Sequence, residues 1–204
     1  EIQTFKTNYA YALGLTDESV HAMDRSQVEV ALAAYELLNP DAKAELTVEK
    51  TLLDNLLLEI IRLDAIQSEV FAFKTSYSSE LLLTETTITI SDRASIESAL
   101  FAYDLLSTDA KAALLIEKTL LDQLLLKINW LETTLAEEIS GFQTNHSLAL
   151  SLTVGSVMDT DRTYIEAALF AYNELSTAAK AALTTEKGLL DSLLTEIIRL
   201  DAIT

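Results

Sequence analysis

Apolar residues recur along this chain at spacings of three and four, in the same order three times. Ile2, Phe5, Tyr9 and Leu13 open the series, and Val70, Phe73, Tyr77 and Leu81 repeat it. Ile139, Phe142, His146 and Leu150 repeat it again. Such spacing lines up one face of an α-helix. A second stripe reads Val28, Ala31, Leu32, Tyr35 and Leu38, matched by Ile96, Ala99, Leu100, Tyr103 and Leu106 and by Ile165, Ala168, Leu169, Tyr172 and Leu175. A third stripe is the longest and richest in leucine: Leu46, Leu53, Leu56, Ile60 and Leu63.

Polar residues mark where these helices start. Asp24-Arg25, Asp92-Arg93 and Asp161-Arg162 precede the second stripe, and aspartate suits an N-cap because its side chain accepts a free backbone N–H. Asn39-Pro40 precedes the third stripe, with Asn as cap and Pro at the first helical position, and Ser107 and Ser176 take the cap role in the later copies. A bend is expected around Thr47 or Thr184, and Gly188, standing where the other copies have Thr51 and Thr119, costs about 1 kcal/mol of helix propensity. Connections at 14–24, 82–92 and 151–161 differ most between copies. The run Thr86-Thr87-Ile88-Thr89-Ile90 alternates and is β-branched, which predicts a partly extended connection. Val20, Ile88 and Val157 share one position there, expected to cover the open end of a bundle.

Tyr35, Tyr103 and Tyr172 are almost evenly spaced, the second step being one position longer than the first. A fixed period of this kind governs the architecture. It predicts an all-α fold of three tandem three-helix-bundle repeats, at 1–68, 69–137 and 138–204. No Pro or Gly falls between Arg62 and Leu82, so the third helix of the first repeat is expected to run into the first helix of the second. Helices shared across at least this junction imply a spectrin-like rod. The next junction is one position longer: Phe142 stands further from Asp122 than Phe73 does from Asp54. One residue rotates a helix by about 100°, so either this junction breaks near Gly141 or the third repeat is turned. Trp130, the only tryptophan, lies here in place of Arg62 and Arg199, and is read as packing between repeats. Glu1 aligns with Glu69 and Thr204 with Gln67, so the chain is expected to be a segment of a longer array.

Composition removes several functions. The net charge is −18, from 32 acidic and 14 basic residues, and no basic cluster exists, so neither nucleic acid nor an anionic membrane surface is an expected partner. The acidity reads as solubility and mutual repulsion. No apolar run approaches the ~18 residues of a membrane span, and the start carries no signal-peptide pattern. With no cysteine, disulfides and thiolate metal sites are excluded.

Candidate chemistry is thin. His21 and His146 occupy unrelated positions, with His146 replacing Tyr9 and Tyr77 on an apolar face. Asp159-Thr160-Asp161 lacks the glycine and distal Glu of a calcium loop. Asn145-His146-Ser147 fits an N-glycosylation acceptor but falls on a predicted helix. Glu49, Glu117 and Glu186 recur, as do Asp54, Asp122 and Asp191. A catalytic carboxylate is rarely needed three times in line, whereas a structural ion pair is. Lys50 and Asp54, Lys118 and Asp122, and Lys187 and Asp191 stand four apart on one helix face, and Arg25, Arg93 and Arg162 are placed to reach the third helix. The recurring tyrosines read as buried rings with hydroxyls at the rim. No catalytic, cofactor-binding or metal-binding residue is assigned, and an enzyme is not expected.

The pattern Asp-Arg-x-x-Ile/Val-Glu-x-Ala-Leu-x-Ala-Tyr-x-x-Leu-Ser-x-x-Ala-Lys-Ala-x-Leu, clearest from Asp92 to Leu114 and from Asp161 to Leu183, resembles the α-helical tandem repeats of large bacterial cell-surface proteins, S-layer-like proteins and wall-anchored adhesins. The first copy departs from it at Gln27-Val28 and Asn39-Pro40. The resemblance implies an extracellular stalk, spacer or lattice-forming segment, whose partners are neighbouring repeats and further copies of the chain. The alternative is a three-helix binding module for a host or cell-wall ligand, with the variable connections as its site. Leu57, Leu58, Leu125 and Leu126 widen the apolar stripe and suit lateral association into a layer or filament.

Overall fold

A computed structural model describes residues 1–203; Thr204, which the repeat aligns with Gln67, lies outside the described residues. The fold is all-α, with 79% of the chain helical and no strand among the described residues. The helices are α1 (Ile2–Asn8), α2 (Ala10–Leu13), α3 (Arg25–Glu36), α4 (Pro40–Glu45), α5 (Thr47–Ser76) and α6 (Arg93–Asp104). They continue with α7 (Thr108–Ala113), α8 (Leu115–Asn145), α9 (Ser147–Leu150), α10 (Arg162–Glu174), α11 (Thr177–Ala182) and α12 (Thr184–Asp201).

The chain divides into two compact units, residues 1–83 with 95–122, and residues 84–94 with 123–204. In the first unit α2, α3 and α5 pack on one another, and the C-terminal part of the unit adds a contact between α5 and α7. Phe5, Val20, Val28, Ala31, Tyr35, Leu46, Leu53, Leu56 and Ile60 form its core cluster. In the second unit α9, α10 and α12 pack in the same way around Phe142, Val157, Ile165, Ala168, Tyr172, Leu183, Leu190, Leu193 and Ile197. The predicted apolar stripes supply nearly all of these residues. Val20, Ile88 and Val157 are buried, as expected of the shared position in the connections.

Helices continue across both repeat junctions. α5 runs unbroken for 30 residues and α8 for 31. Gly141 lies inside α8, so the expected alternative of a break near it does not occur.

Two expectations about helix ends need correction. The first apolar stripe is not one helix. Tyr9 adopts φ −111°, ψ 22°, and Tyr77 and His146 take nearly the same conformation, so the helix breaks at the same place each time. The break shifts the phase, burying Ala12 and Leu15 while Leu13 is only half-buried. Asp24 does not cap α3. Its carboxylate reaches backwards, accepting from the His21 N–H at 2.8 Å and the Tyr11 hydroxyl at 2.7 Å. Asp92 and Asp161 likewise accept from the Thr89 and Met158 N–H groups, at 2.8 and 2.9 Å. Each thereby closes a short 3-10 turn ahead of the helix, at Ala22–Asp24, Ile90–Asp92 and Asp159–Asp161.

The connection at 82–92 holds no strand but is extended at Leu83 and Thr89, in keeping with the expectation of a partly extended connection. Thr84 N–H donates to the Thr87 hydroxyl and Ile88 N–H to the Thr84 carbonyl, both at 2.9 Å, which closes a turn over the β-branched run. Local side-chain hydrogen bonds of this kind compete directly with extended structure. The third-helix starts are as expected. Asn39, Ser107 and Ser176 accept from Ala42, Ala110 and Ala179 N–H at 2.8, 3.3 and 3.2 Å. The expected bend falls at Leu46, Leu114 and Leu183, whose backbones share one non-helical conformation, and it places those three leucines in the core.

Candidate functional site

Most polar contacts recur at matching positions and therefore serve the fold. Lys50, Lys118 and Lys187 each grip the aspartate four residues on at 2.6 Å. The same ammonium groups lie 5.8 Å above the rings of Tyr35, Tyr103 and Tyr172. Those tyrosines are buried, and their hydroxyls donate to the carbonyls of Lys43, Lys111 and Lys180 at 3.0, 2.9 and 2.9 Å. Arg25 reaches Asp64 at 2.5 Å, Arg93 reaches Glu132 at 2.6 Å, and Arg162 pairs with Asp201, so all three arginines span to the third helix as the spacing predicts.

Two further recurring contacts escape the sequence reading. Lys6 and Lys74 pair with Glu49 and Glu117 at 2.6 Å, and where the third copy has Gln143 it donates to Glu186 at 2.7 Å. Glu69 and Glu138 accept from the N–H groups of the cap residues Ser107 and Ser176 at 2.8 and 2.6 Å. The Ser176 hydroxyl also donates to Glu138, and these two bonds hold its carboxyl below the usual glutamate range. The available signal is the constant offset from glutamate to serine in both copies.

The departure from the pattern lies around Trp130. In the first unit Arg62 grips Glu59 through two bonds, at 2.6 and 2.8 Å, and also pairs with Asp109 across the junction. Arg199 binds Glu196 in the same manner, at 2.6 Å. At the second junction all three positions change together: Lys127 stands for Glu59, Trp130 for Arg62, and Ala178 comes in register with Asp109. An ion-pair set becomes a cation–π pair, with Lys127 Nζ 3.8 Å from the centre of the indole. Trp130, read from the sequence as packing between repeats, is 55% exposed. It borders a groove of about 490 Å³ within the second unit, whose walls include Ile88, Ile90, Leu131, Leu135 and Ala178, with Glu138 and Ser176 supplying polar groups. Ile88 and Ile90 come from the variable connection at 82–92.

The other singled-out residues are not brought together. His21 is exposed beside Asp24, 3.9 Å away. His146 is half-buried against the Phe142 ring, with centroids 5.1 Å apart. Asp159 lies 3.8 Å from Arg162, and Asp161 closes its turn. Asn145 ends α8, so the glycosylation triplet straddles a helix break rather than lying inside a helix. Among the described residues no group of three or more His, Asp or Glu side chains is placed to hold a metal ion, and no helix is long and apolar enough to cross a membrane. No protein-family model, curated protein or solved structure matches this chain.

Proposed function

We propose that this chain is a structural spacer of an extracellular bacterial surface protein, built as three tandem three-helix repeats with helices shared across both junctions. The observation that carries the reading is the continuity of α5 and α8 through the points where one repeat passes into the next. A shared helix transmits bending stiffness, which a flexible linker does not. The polar contacts repeat with the period and are used up in holding the helices together, as a scaffold requires. The extracellular setting rests on the resemblance to surface-protein repeats alone. No enzymatic activity is proposed.

Partners under this reading are neighbouring repeats and further copies of the chain. Leu58 and Leu126 are 65% and 68% exposed at equivalent positions, and they would be covered in a layer or filament. Light scattering over a concentration series tests this part. A spacer alone keeps the mass of one chain throughout, assembly raises the mass with concentration, and a catalytic turnover found for the chain would overturn the structural reading.

A second reading, a binding module, is favoured by one observation. A repeated scaffold has no need to open an apolar groove at one junction while bridging the equivalent position of another with an ion pair.

A further inference from the structure

At the groove beside Trp130, three positions differ together from the ion-paired set of the first junction. At the first junction Arg62 holds Glu59 and Asp109 together, so charged side chains bridge the equivalent place. Lys127, Trp130 and Ala178 replace them; Trp130 and Ala178 line a mainly apolar groove, and Lys127 Nζ lies 3.8 Å from the indole centre. Leaving a large indole more than half exposed beside isoleucine and leucine side chains forgoes burial that a solely structural junction would gain. The volume, about 490 Å³, suits one or two apolar side chains better than a whole domain.

Charge decides among occupants. The chain carries −18, so long-range attraction favours a basic segment as the occupant of this groove. Glu138 lines the groove, and its hydrogen bonds from Ser176 keep it ionised; Glu137 precedes it on α8 and is exposed. We propose that this groove binds a basic peptide segment, seating one large apolar side chain against Trp130 and setting the flanking cations near the carboxylates of α8. The inference rests on the binding-module reading and names the partner chemistry within it.

Trp130 is the only tryptophan, so its emission reports the groove directly. The probes are three peptides, Lys-Lys-Phe-Leu-Lys-Lys, Glu-Glu-Phe-Leu-Glu-Glu and Lys-Lys-Ser-Ser-Lys-Lys, none of which contains tryptophan. The expected result is a saturable blue shift with the first peptide and at least tenfold weaker binding of the other two. The same peptides carrying a fluorescent label, read by anisotropy, extend the test to the triple variant K127E/W130R/A178D, which rebuilds the residues of the first junction. That variant is two charges more negative than the parent, since two changes lower the charge by three and the third raises it by one. Attraction by charge alone would strengthen, so a tenfold loss of binding, with circular dichroism and melting unchanged, assigns the site to the groove.

Equal binding of the two phenylalanine peptides overturns the basic partner but leaves a binding groove. Equal binding of the two lysine peptides, or of parent and triple variant, overturns the groove as the site. No binding of any peptide overturns both the inference and the binding reading. A blue shift that appears with protein concentration alone, together with a doubled mass, makes a second copy the occupant and overturns the proposal.

Discussion

Leu124 and Leu126 stand two positions apart on α8, yet Leu124 is fully buried and Leu126 is 68% exposed. Truncating the first leaves a cavity, and Leu124→Ala is expected to cost about 2–5 kcal/mol in urea unfolding. Leu126→Ala is expected to change stability by no more than about 0.5 kcal/mol in dilute solution, and an equal cost would place Leu126 in an interface. Carboxylates give a second test at this scale. Asp24, held by the Tyr11 hydroxyl and the His21 N–H, Asp92, held by the Thr89 hydroxyl and N–H, and Glu49, held by Lys6, all lie below their ordinary range. The unfolded chain therefore binds protons first. Their contribution is complete above the unfolded values near ~4 and is lost as pH falls through the lower folded values. The net charge of −18 also shrinks toward the isoelectric point near 4.3, which relieves self-repulsion. The melting temperature is accordingly expected to hold or rise from pH 7 to about 4.5 and to fall below about 4; a steady fall from neutrality would contradict this. The pairs of Lys50, Lys118 and Lys187 were legible because each aspartate stands four residues on along the same helix, whereas the Lys6 and Lys74 pairs join different helices and were not. Trp130 stood out alone, but its groove depends on Lys127 and Ala178, and Ala178 comes from a different helix, α11.

Among elements, α5 and α8 carry the account, and the absence of Pro and Gly between Arg62 and Leu82 made the first of them readable. The second holds Gly141, which left its course open in the sequence. A methyl group at Gly141 or Gly188 meets nothing within 4 Å, and both lie within helices. Gly141→Ala and Gly188→Ala are therefore each expected to raise stability by roughly 0.5–1 kcal/mol in denaturant unfolding. A loss at either position would mean that the helix needs the glycine for a bend or a close contact. The short elements were less legible. The break at Tyr9 has no Pro or Gly to announce it. The connection at 82–92 carries residues of high β propensity, yet Thr84 and Thr87 close a turn through their own side chains. Backward capping by Asp24 and its equivalents was hidden because one carboxylate suits either the turn before it or the helix after it.

At the scale of the whole molecule, the nearly constant period and the two junction-crossing helices lead to the spacer proposal. Under that proposal three repeats, each about 30 Å long and in line, would span about 90 Å. The most direct test of that proposal is small-angle X-ray scattering of the chain at concentrations where its mass is that of one copy. The spacer reading predicts a radius of gyration of about 26 Å, as for a thin rod of three helix lengths of about 30 Å each. A value near the roughly 17 Å of a compact chain of this length would contradict it.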